Sequence, residues 1–291
     1  MKLIKYFIEF LFVIFFFFIF KILRLKLSSN LSCLIFQKIG PMIRNNNKIY
    51  KNLNLVFPEN NENENKKIIK NMWCNYGRTF AEYMFLDFFR KNKSLNIKVE
   101  NLSKFYELKK LNRPLLFFSG HFANFELLAM TIEKNHFDIC ALYRPLNNIF
   151  LNPIMKYLRT KYLCKDQIPK SMPGKSKDGT RQLLNRIKNK KHIALMVDQK
   201  VNEGIKVNLF NKKALTINIP SQLAIKHGYK LIPIEIKRVS NTNFVIRIKE
   251  NIEVNSEDDQ LSITKKINEE LEKMILNNPE QWIWTHDRWR I

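Results

Sequence analysis

The chain has 291 residues, of which 45% are hydrophobic and 12% aromatic, so it can bury one large core or two modest ones and intrinsic disorder is excluded as its general state. Fifty Lys and Arg against 26 Asp and Glu give a formal charge of +24, which suits an anionic membrane surface, an acidic partner protein or nucleic acid. No helix-turn-helix, RNP aromatic motif or zinc-finger spacing accompanies the charge, and Lys travels with Asn, Ile and Phe as in A/T-rich coding, so nucleic acid is set aside as a partner.

The chain opens with an unbroken apolar segment from Phe10 to Phe20, extended loosely from Leu3 to Leu25. A spanning helix needs roughly 20 apolar residues, so residues 1–27 are expected to form a membrane anchor, either crossing the bilayer or lying in its interface. No A-x-A-like cleavage site follows, as a removable signal peptide would require. Lys21, Arg24 and Lys26 outweigh Lys2 and Lys5, beside which Glu9 lies. By the positive-inside rule the body of the protein then faces the cytoplasm.

Residues 28–110 read as a helical part, with "NMWCNYGRTFAEYMFLDFFRK" spacing its apolar residues at three and four. "PENNENENKK" is a loop or the polar entry to that helix. After Pro114 the texture changes to short apolar runs alternating with amphipathic segments. "LLFFS", "FDICALY", "HIALMVD", "KLIPIEIKR" and "NFVIRIKE" read as strands, and "ANFELLAMTIEK", "NIFLNPIMKYLRTKYL", "DGTRQLLNRIKN" and "NIPSQLAIKHG" as helices. A last helix is expected near Ser262 to Leu276. This alternation predicts an α/β body over residues 111–291, with a mixed, largely parallel sheet flanked by helices.

Cys33, Cys74, Cys140 and Cys164 are scattered, form no C-x-x-C pair and are expected as reduced thiols, with neither a disulfide framework nor a metal site. Gly174-Lys175-Ser176 looks like the tail of a phosphate loop, but Pro169 stands where its first glycine is needed, so a nucleotide site is excluded.

The chemistry is sought in "LLFFSGHFANFELLAM", where His121 and Glu126 interrupt an otherwise apolar or small run. Five positions apart on a regular helix would point them about 140° apart. A strand-to-helix corner, with Asn124 as helix cap, instead lets the carboxylate fold back onto the imidazole. A carboxylate on one ring nitrogen fixes the tautomer and leaves the other nitrogen free to take a proton from a hydroxyl. His136, His192, His227 and His286 have no acid at that offset. No G-x-S-x-G nucleophile elbow occurs, so direct transfer is favoured over a covalent enzyme intermediate.

"GHFANFELL", "YRPLNNIFLNPIMKYLRT", "HIALMVDQ", "ALTINIPSQLAIKHGYKLIPIEIKR" and "PEQWIWTHDRW" follow one another in an order that resembles the bacterial lipid A biosynthesis acyltransferases, the lauroyl/myristoyl late acyltransferases. The resemblance covers nearly the whole chain and implies a glycerolipid-acyltransferase-like fold. It implies an enzyme of the bacterial inner membrane, with its body on the cytoplasmic side, moving a fatty acyl chain from acyl carrier protein to a hydroxyl of a hydroxyacyl chain on a lipid A precursor. No cofactor or metal is implied beyond acyl carrier protein as co-substrate, and membrane lipids are expected contacts. His121 would be the general base, Glu126 its acidic partner, and Arg159 the cation steadying the thioester carbonyl. Asp198, Arg144 and Asn124 are expected around the substrates.

Three departures from the common pattern are Ala123 for Gly, Phe125 for Trp and Asp287 for a basic residue. Trp282, Trp284 and Trp289 are expected in the core or an interfacial belt. Lys170, Lys175 and Lys177 form a basic surface, equally readable as a solvated loop. The competing readings are the same fold acting on another glycolipid or phospholipid, and a non-enzymatic, membrane-tethered binding protein.

Overall fold

In the computed structural model, which describes residues 1–44, 46–91, 95–170 and 178–290, the apolar N-terminal run becomes helix α1 (Lys2–Ile43). It is the one helix among the described residues long and apolar enough to cross a membrane. Leu3, Phe7, Leu11, Phe15, Phe18 and Ile22 are all exposed along it. The helix breaks at Arg24, where φ is 60°. The Ser28 hydroxyl donates to the carbonyls of Phe20 and Arg24 across the break, re-satisfying groups that a kink would orphan.

Beyond the break α1 packs on α3 (Glu62–Glu82), after the short α2 (Asn46–Val56). The contact needs glycine: a Cβ on Gly77 would lie 2.2 Å from the Ser32 carbonyl oxygen, and one on Gly40 would meet the Trp73 ring at 2.3 Å. Cys33 and Cys74 meet across this seam as a disulfide, correcting the expectation of four reduced thiols. Their 41-residue separation gave no signal because helix packing alone brings them together. Asn61 caps α3 and forms a capping box with Glu64, so the Asn-rich stretch is the polar entry to the helix. α4 (Leu86–Lys91) ends this part.

The strands are β1 (Ile97–Glu100), β2 (Leu115–Ser119), β3 (Ile139–Tyr143), β4 (Asp166–Pro169), β5 (His192–Met196), β6 (Ile205–Leu209), β7 (Lys212–Thr216), β8 (Lys230–Ser240) and β9 (Asn243–Ile248). The helices among them are α5 (Ser103–Lys110), α6 (Glu126–Lys134), α7 (Leu151–Tyr162), α8 (Asp178–Lys188), α9 (Ile219–His227) and α10 (Gln260–Asn277). Seven strands form one sheet in the order β1-β9-β8-β2-β5-β3-β4, with only the β8/β9 pair antiparallel, while β6 and β7 make a separate hairpin. The mixed, mostly parallel sheet flanked by helices is as the sequence predicts. β1 is an addition, inside the stretch read as helical, and β4, β6 and β7 were not read at all.

β2 is central and buried at every residue, which is why its sequence is continuously apolar. Because β2, β3, β4 and β5 run parallel, their carboxyl ends share one edge of the sheet. His121, Arg144, Lys170 and Asp198 follow those four ends within two residues. Loops beyond the carboxyl ends of parallel strands are where such sheets build sites.

Candidate active site

His121 lies just past β2 and Glu126 opens α6, the expected strand-to-helix corner. Ala123 takes φ 44° at its turn, a left-handed conformation that glycine adopts more easily. The corner is clamped by backbone contacts from distant segments. The Ala123 N–H donates to the Gln281 carbonyl at 3.1 Å, its carbonyl accepts from the Thr79 hydroxyl at 3.0 Å, and Phe122 bridges to Trp282.

The carboxylate that meets His121 is Asp198, not Glu126. His121 Nδ1 lies 2.7 Å from Asp198 Oδ1, and the His121 backbone N–H donates to Oδ2 at 2.7 Å. The register explains the pairing: Ser119 of β2 is opposite Met196 of β5, so the residues two beyond each strand end face one another. The Trp282 indole N–H also donates to Asp198 Oδ2, at 2.9 Å. Burial opposes ionisation of Asp198, but the charge and hydrogen bonds of His121, together with the indole, outweigh it and hold the carboxyl well below its ordinary range. Asp198 is 2% exposed and lies behind the imidazole, on its Nδ1 side.

Glu126 turns to the other side of the corner. It accepts from Arg159 Nε at 3.1 Å and Nη2 at 2.5 Å, and from the Tyr83 hydroxyl. Arg159, from α7, also donates to the Tyr83 oxygen at 3.1 Å and lies over the Tyr143 ring. Burial would lower the Arg159 pKa, but Glu126 and Tyr83 outweigh it and keep the guanidinium charged; burial, with the Glu126 charge, raises that of Tyr83.

Asn124 is neither the helix cap nor a cavity residue. Phe125 occupies the cap position without a side-chain bond, and the fully buried Asn124 donates to Glu82 Oε2 at 2.9 Å. Glu82 is in turn paired with Arg238 of β8. This buried ion pair supports the corner from beneath.

Sequence reasoning missed Gln199 and His286. Gln199 Nε2 lies 3.4 Å from His121 Nε2 and 3.2 Å from His286 Nε2. If Asp198 holds the proton on His121 Nδ1, the two amide hydrogens of Gln199 fill the two free imidazole lone pairs. Burial, with help from nearby His121, Arg44 and Arg144, pushes the His286 pKa down to about 4 despite Asp198, so this ring is neutral at pH 7. Both residues stand in quoted motifs, next to Asp198 and within "THDRW", and that adjacency was the available signal.

Two cavities of about 400 Å³ each meet at this point. The first runs between α6 and the sheet, past Phe117, Leu128, Ile132, Leu142 and Leu195, and its lining includes Arg44, Arg144 and Lys170. The second lies among α1, α3 and α7, walled by Val13, Phe17, Phe36, Phe80 and Met155. His121, Phe125, Arg159, Gln199 and His286 line both.

The whole chain, residues 1–291, matches the family model described as bacterial lipid A biosynthesis acyltransferase. The chain belongs to that family. It is therefore an acyltransferase of lipid A biosynthesis. It is 23% identical over 270 residues to a lipid A biosynthesis palmitoleoyltransferase of Escherichia coli (strain K12), covering 89% of this chain and 84% of that protein. A lipid A biosynthesis acyltransferase of Shigella flexneri matches with the same identity and coverage.

Trp282, Trp284 and Trp289 are all buried, one of the two places expected for them. Arg288 is fully buried on the Leu215 carbonyl and the Thr216 hydroxyl, and Asp287 pairs with Lys48. Lys175 and Lys177, with the phosphate-loop-like tail, lie outside the described residues. Among the described residues no cluster of three or more His, Cys, Asp or Glu could hold a metal.

Proposed function

We propose that the protein transfers a fatty acyl chain from acyl carrier protein to the hydroxyl of a hydroxyacyl chain on a lipid A precursor, with His121 as general base. The observation that carries this reading is the meeting of two cavities, one largely apolar and one with an apolar wall between α6 and the sheet, at one imidazole whose Nδ1 is already held by a carboxylate. A transfer between two lipid chains needs two apolar channels and one base where they join.

In this mechanism the acceptor hydroxyl replaces the Gln199 amide at His121 Nε2 and gives up its proton there as its oxygen attacks the thioester carbonyl. Asp198 stabilises the imidazolium that results. The carbonyl oxygen gains negative charge in the tetrahedral intermediate, and Arg159 supplies fixed positive charge close by. Collapse of the intermediate breaks the carbon–sulfur bond, and the departing thiolate takes the proton from His121. Glu126 serves by holding Arg159, a change from the role expected for it beside His121.

The exposed apolar face of α1 supports attachment to the membrane that carries the acceptor. The flanking charges support a cytoplasmic body at the inner membrane, where carrier protein is available. The test is acyl transfer from a panel of acyl carrier protein donors to a Kdo-bearing tetra-acyl precursor, followed by mass spectrometry. Wild type should add one acyl chain, and folded His121→Ala should add almost none. Equal product from both would reject His121 as base, and no product from wild type with any donor would reject the substrate pair.

A further inference from the structure

The part of α1 before its break at Arg24 has two opposite faces, both apolar. Ile4, Ile8, Leu11, Phe15, Phe18 and Ile22 are exposed and share one face, spread over about 80° of helix rotation. Tyr6, Phe10, Val13, Phe17 and Phe20 lie on the other face, partly or fully buried. That second face touches the body at both ends and in the middle. Near the start of α1 the Asn148 amide, just ahead of α7, donates to the Tyr6 carbonyl at 2.8 Å and to Glu9 Oε2 at 3.1 Å, and the Phe150 ring packs on Phe7 and Phe10. In the middle, Val13 and Phe17 wall the second cavity beside Leu151 and Ile154 of α7. Near the break, Phe17 and Phe20 pack on Phe80 of α3, and Lys21 pairs with Asp87 of α4 at 3.6 Å.

These contacts decide against a crossing. Tyr6 to Phe20 is about 21 Å of helix, and only about 6 Å of α1 lies beyond Tyr6, against a hydrocarbon layer of about 30 Å. That short end carries Lys2 and Lys5. The neighbouring body cannot enter the hydrocarbon with the helix, because α7 exposes Lys156 and Lys161 and charged side chains at that depth are costly. The exposed apolar face is equally unsuited to water. A helix in the plane of the membrane resolves both demands: its outer face enters the acyl boundary by roughly 5–10 Å, while Lys2, Lys5, Lys21 and Lys26 all meet the headgroups of one leaflet.

We infer that α1 lies in the plane of a single leaflet, with its Ile4–Ile22 face in lipid and its Tyr6–Phe20 face on the body, and does not cross the membrane. The inference rests on the membrane attachment read above and goes beyond it, because both ends of the apolar run and the body then share one side. It also brings lipid within a helix diameter, about 10 Å, of the second cavity that Val13 and Phe17 wall.

The experiment uses the full chain in bacterial inner-membrane vesicles, right-side-out and inverted. Cys140 and Cys164 are buried and Cys33 and Cys74 are joined, so an introduced cysteine is read against a low background. Lys2→Cys and, on the body, Lys110→Cys are each treated with a membrane-impermeant maleimide. Both should label at least tenfold more from one side of the membrane, and from the same side. Labelling from opposite sides means that α1 spans and overturns the inference. The double variant Phe7→Cys/Phe150→Cys, oxidised in the same vesicles with copper phenanthroline, should form the cross-link in most molecules, read by mass spectrometry of the linked peptides. Absence of that link in vesicles overturns the inference even where Lys2→Cys is shielded from both sides. Recovery of the protein in the soluble fraction overturns the attachment and the inference together. Labelling of both positions only from the outer side refutes the cytoplasmic body but upholds the in-plane helix, and neither readout depends on acyl transfer.

Discussion

Replacing Asp198 by Asn is the sharpest probe of how the site is wired. Oδ2 of Asp198 accepts two N–H groups, from the His121 backbone at 2.7 Å and from Trp282 at 2.9 Å. The single carbonyl oxygen of Asn must stay there, because an amide NH₂ cannot face two donors. Its NH₂ then faces His121 Nδ1, turns that nitrogen into an acceptor and moves the ring proton to Nε2. In the proposed mechanism His121 is then left in a tautomer that cannot take the hydroxyl proton.

The substitution also removes the charge that stabilises the imidazolium. At a charge separation of about 4 Å and an effective dielectric near 20 this is worth about 4 kcal/mol, or roughly three decades in rate. With the wrong tautomer added, kcat should fall by about 10³- to 10⁴-fold, as for the equivalent change in serine proteases. The assay is single-turnover acyl transfer with saturating substrates, beside a tryptophan-fluorescence melt to establish folding. A folded variant within tenfold of wild type would refute the Asp198–His121 wiring.

Glu126→Gln should lower the melting temperature as well as the rate, because it strands the buried Arg159 charge at a cost of about 3 kcal/mol. The double variant Glu126→Leu/Arg159→Met should recover much of that stability without recovering activity, read by melting and turnover together. His286 is protonated near pH 6.5 when unfolded but only near pH 4 when folded. Its contribution is thus fully present above pH 6.5 and lost as pH falls towards 4, about 3 kcal/mol in all; His286→Asn should flatten that part of a stability profile measured by denaturant titration. Gly77→Ala should cost roughly 1–3 kcal/mol by forcing α1 off α3, seen as a lower denaturation midpoint.

Sequence periodicity found the central strands because burial writes them plainly: β2 is buried at every residue, and β8 carries the buried apolar stretch Leu231, Ile232, Pro233 and Ile234. It missed β4, whose four residues include Asp166, Gln167 and Pro169, and the β6/β7 hairpin, where Lys and Asn alternate with apolar positions. It missed β1 because four residues at a sheet edge carry little pattern. The site divided the same way. Positions set locally, such as the corner carrying His121 and Glu126, were legible. The partner of His121 was not, because strand register fixes it across 77 positions of sequence, and spacing within one motif instead suggested Glu126.

That error carries a physical lesson about the C-terminal motif. The tryptophans of "PEQWIWTHDRW" are buried, one of the two places expected for them, and the motif's backbone and side chains also reach the His121 side of the corner. Gln281 takes the Ala123 N–H, Trp282 bridges Phe122 and donates to Asp198, and His286 meets Gln199. Gln281 also binds the Arg238 backbone through both ends of its amide, tying this segment to the sheet and to the residue that neutralises Glu82. A histidine and a carboxylate in an apolar interior hold their geometry through the donors and acceptors matched to them, here the His121 backbone N–H and the Trp282 indole on Asp198. The two motifs, some 160 positions apart in sequence, are halves of one hydrogen-bonded structure. A change in the C-terminal half, such as loss of the Trp282 indole N–H, should therefore act first on the orientation of Asp198, and through it on the orientation of the His121 ring.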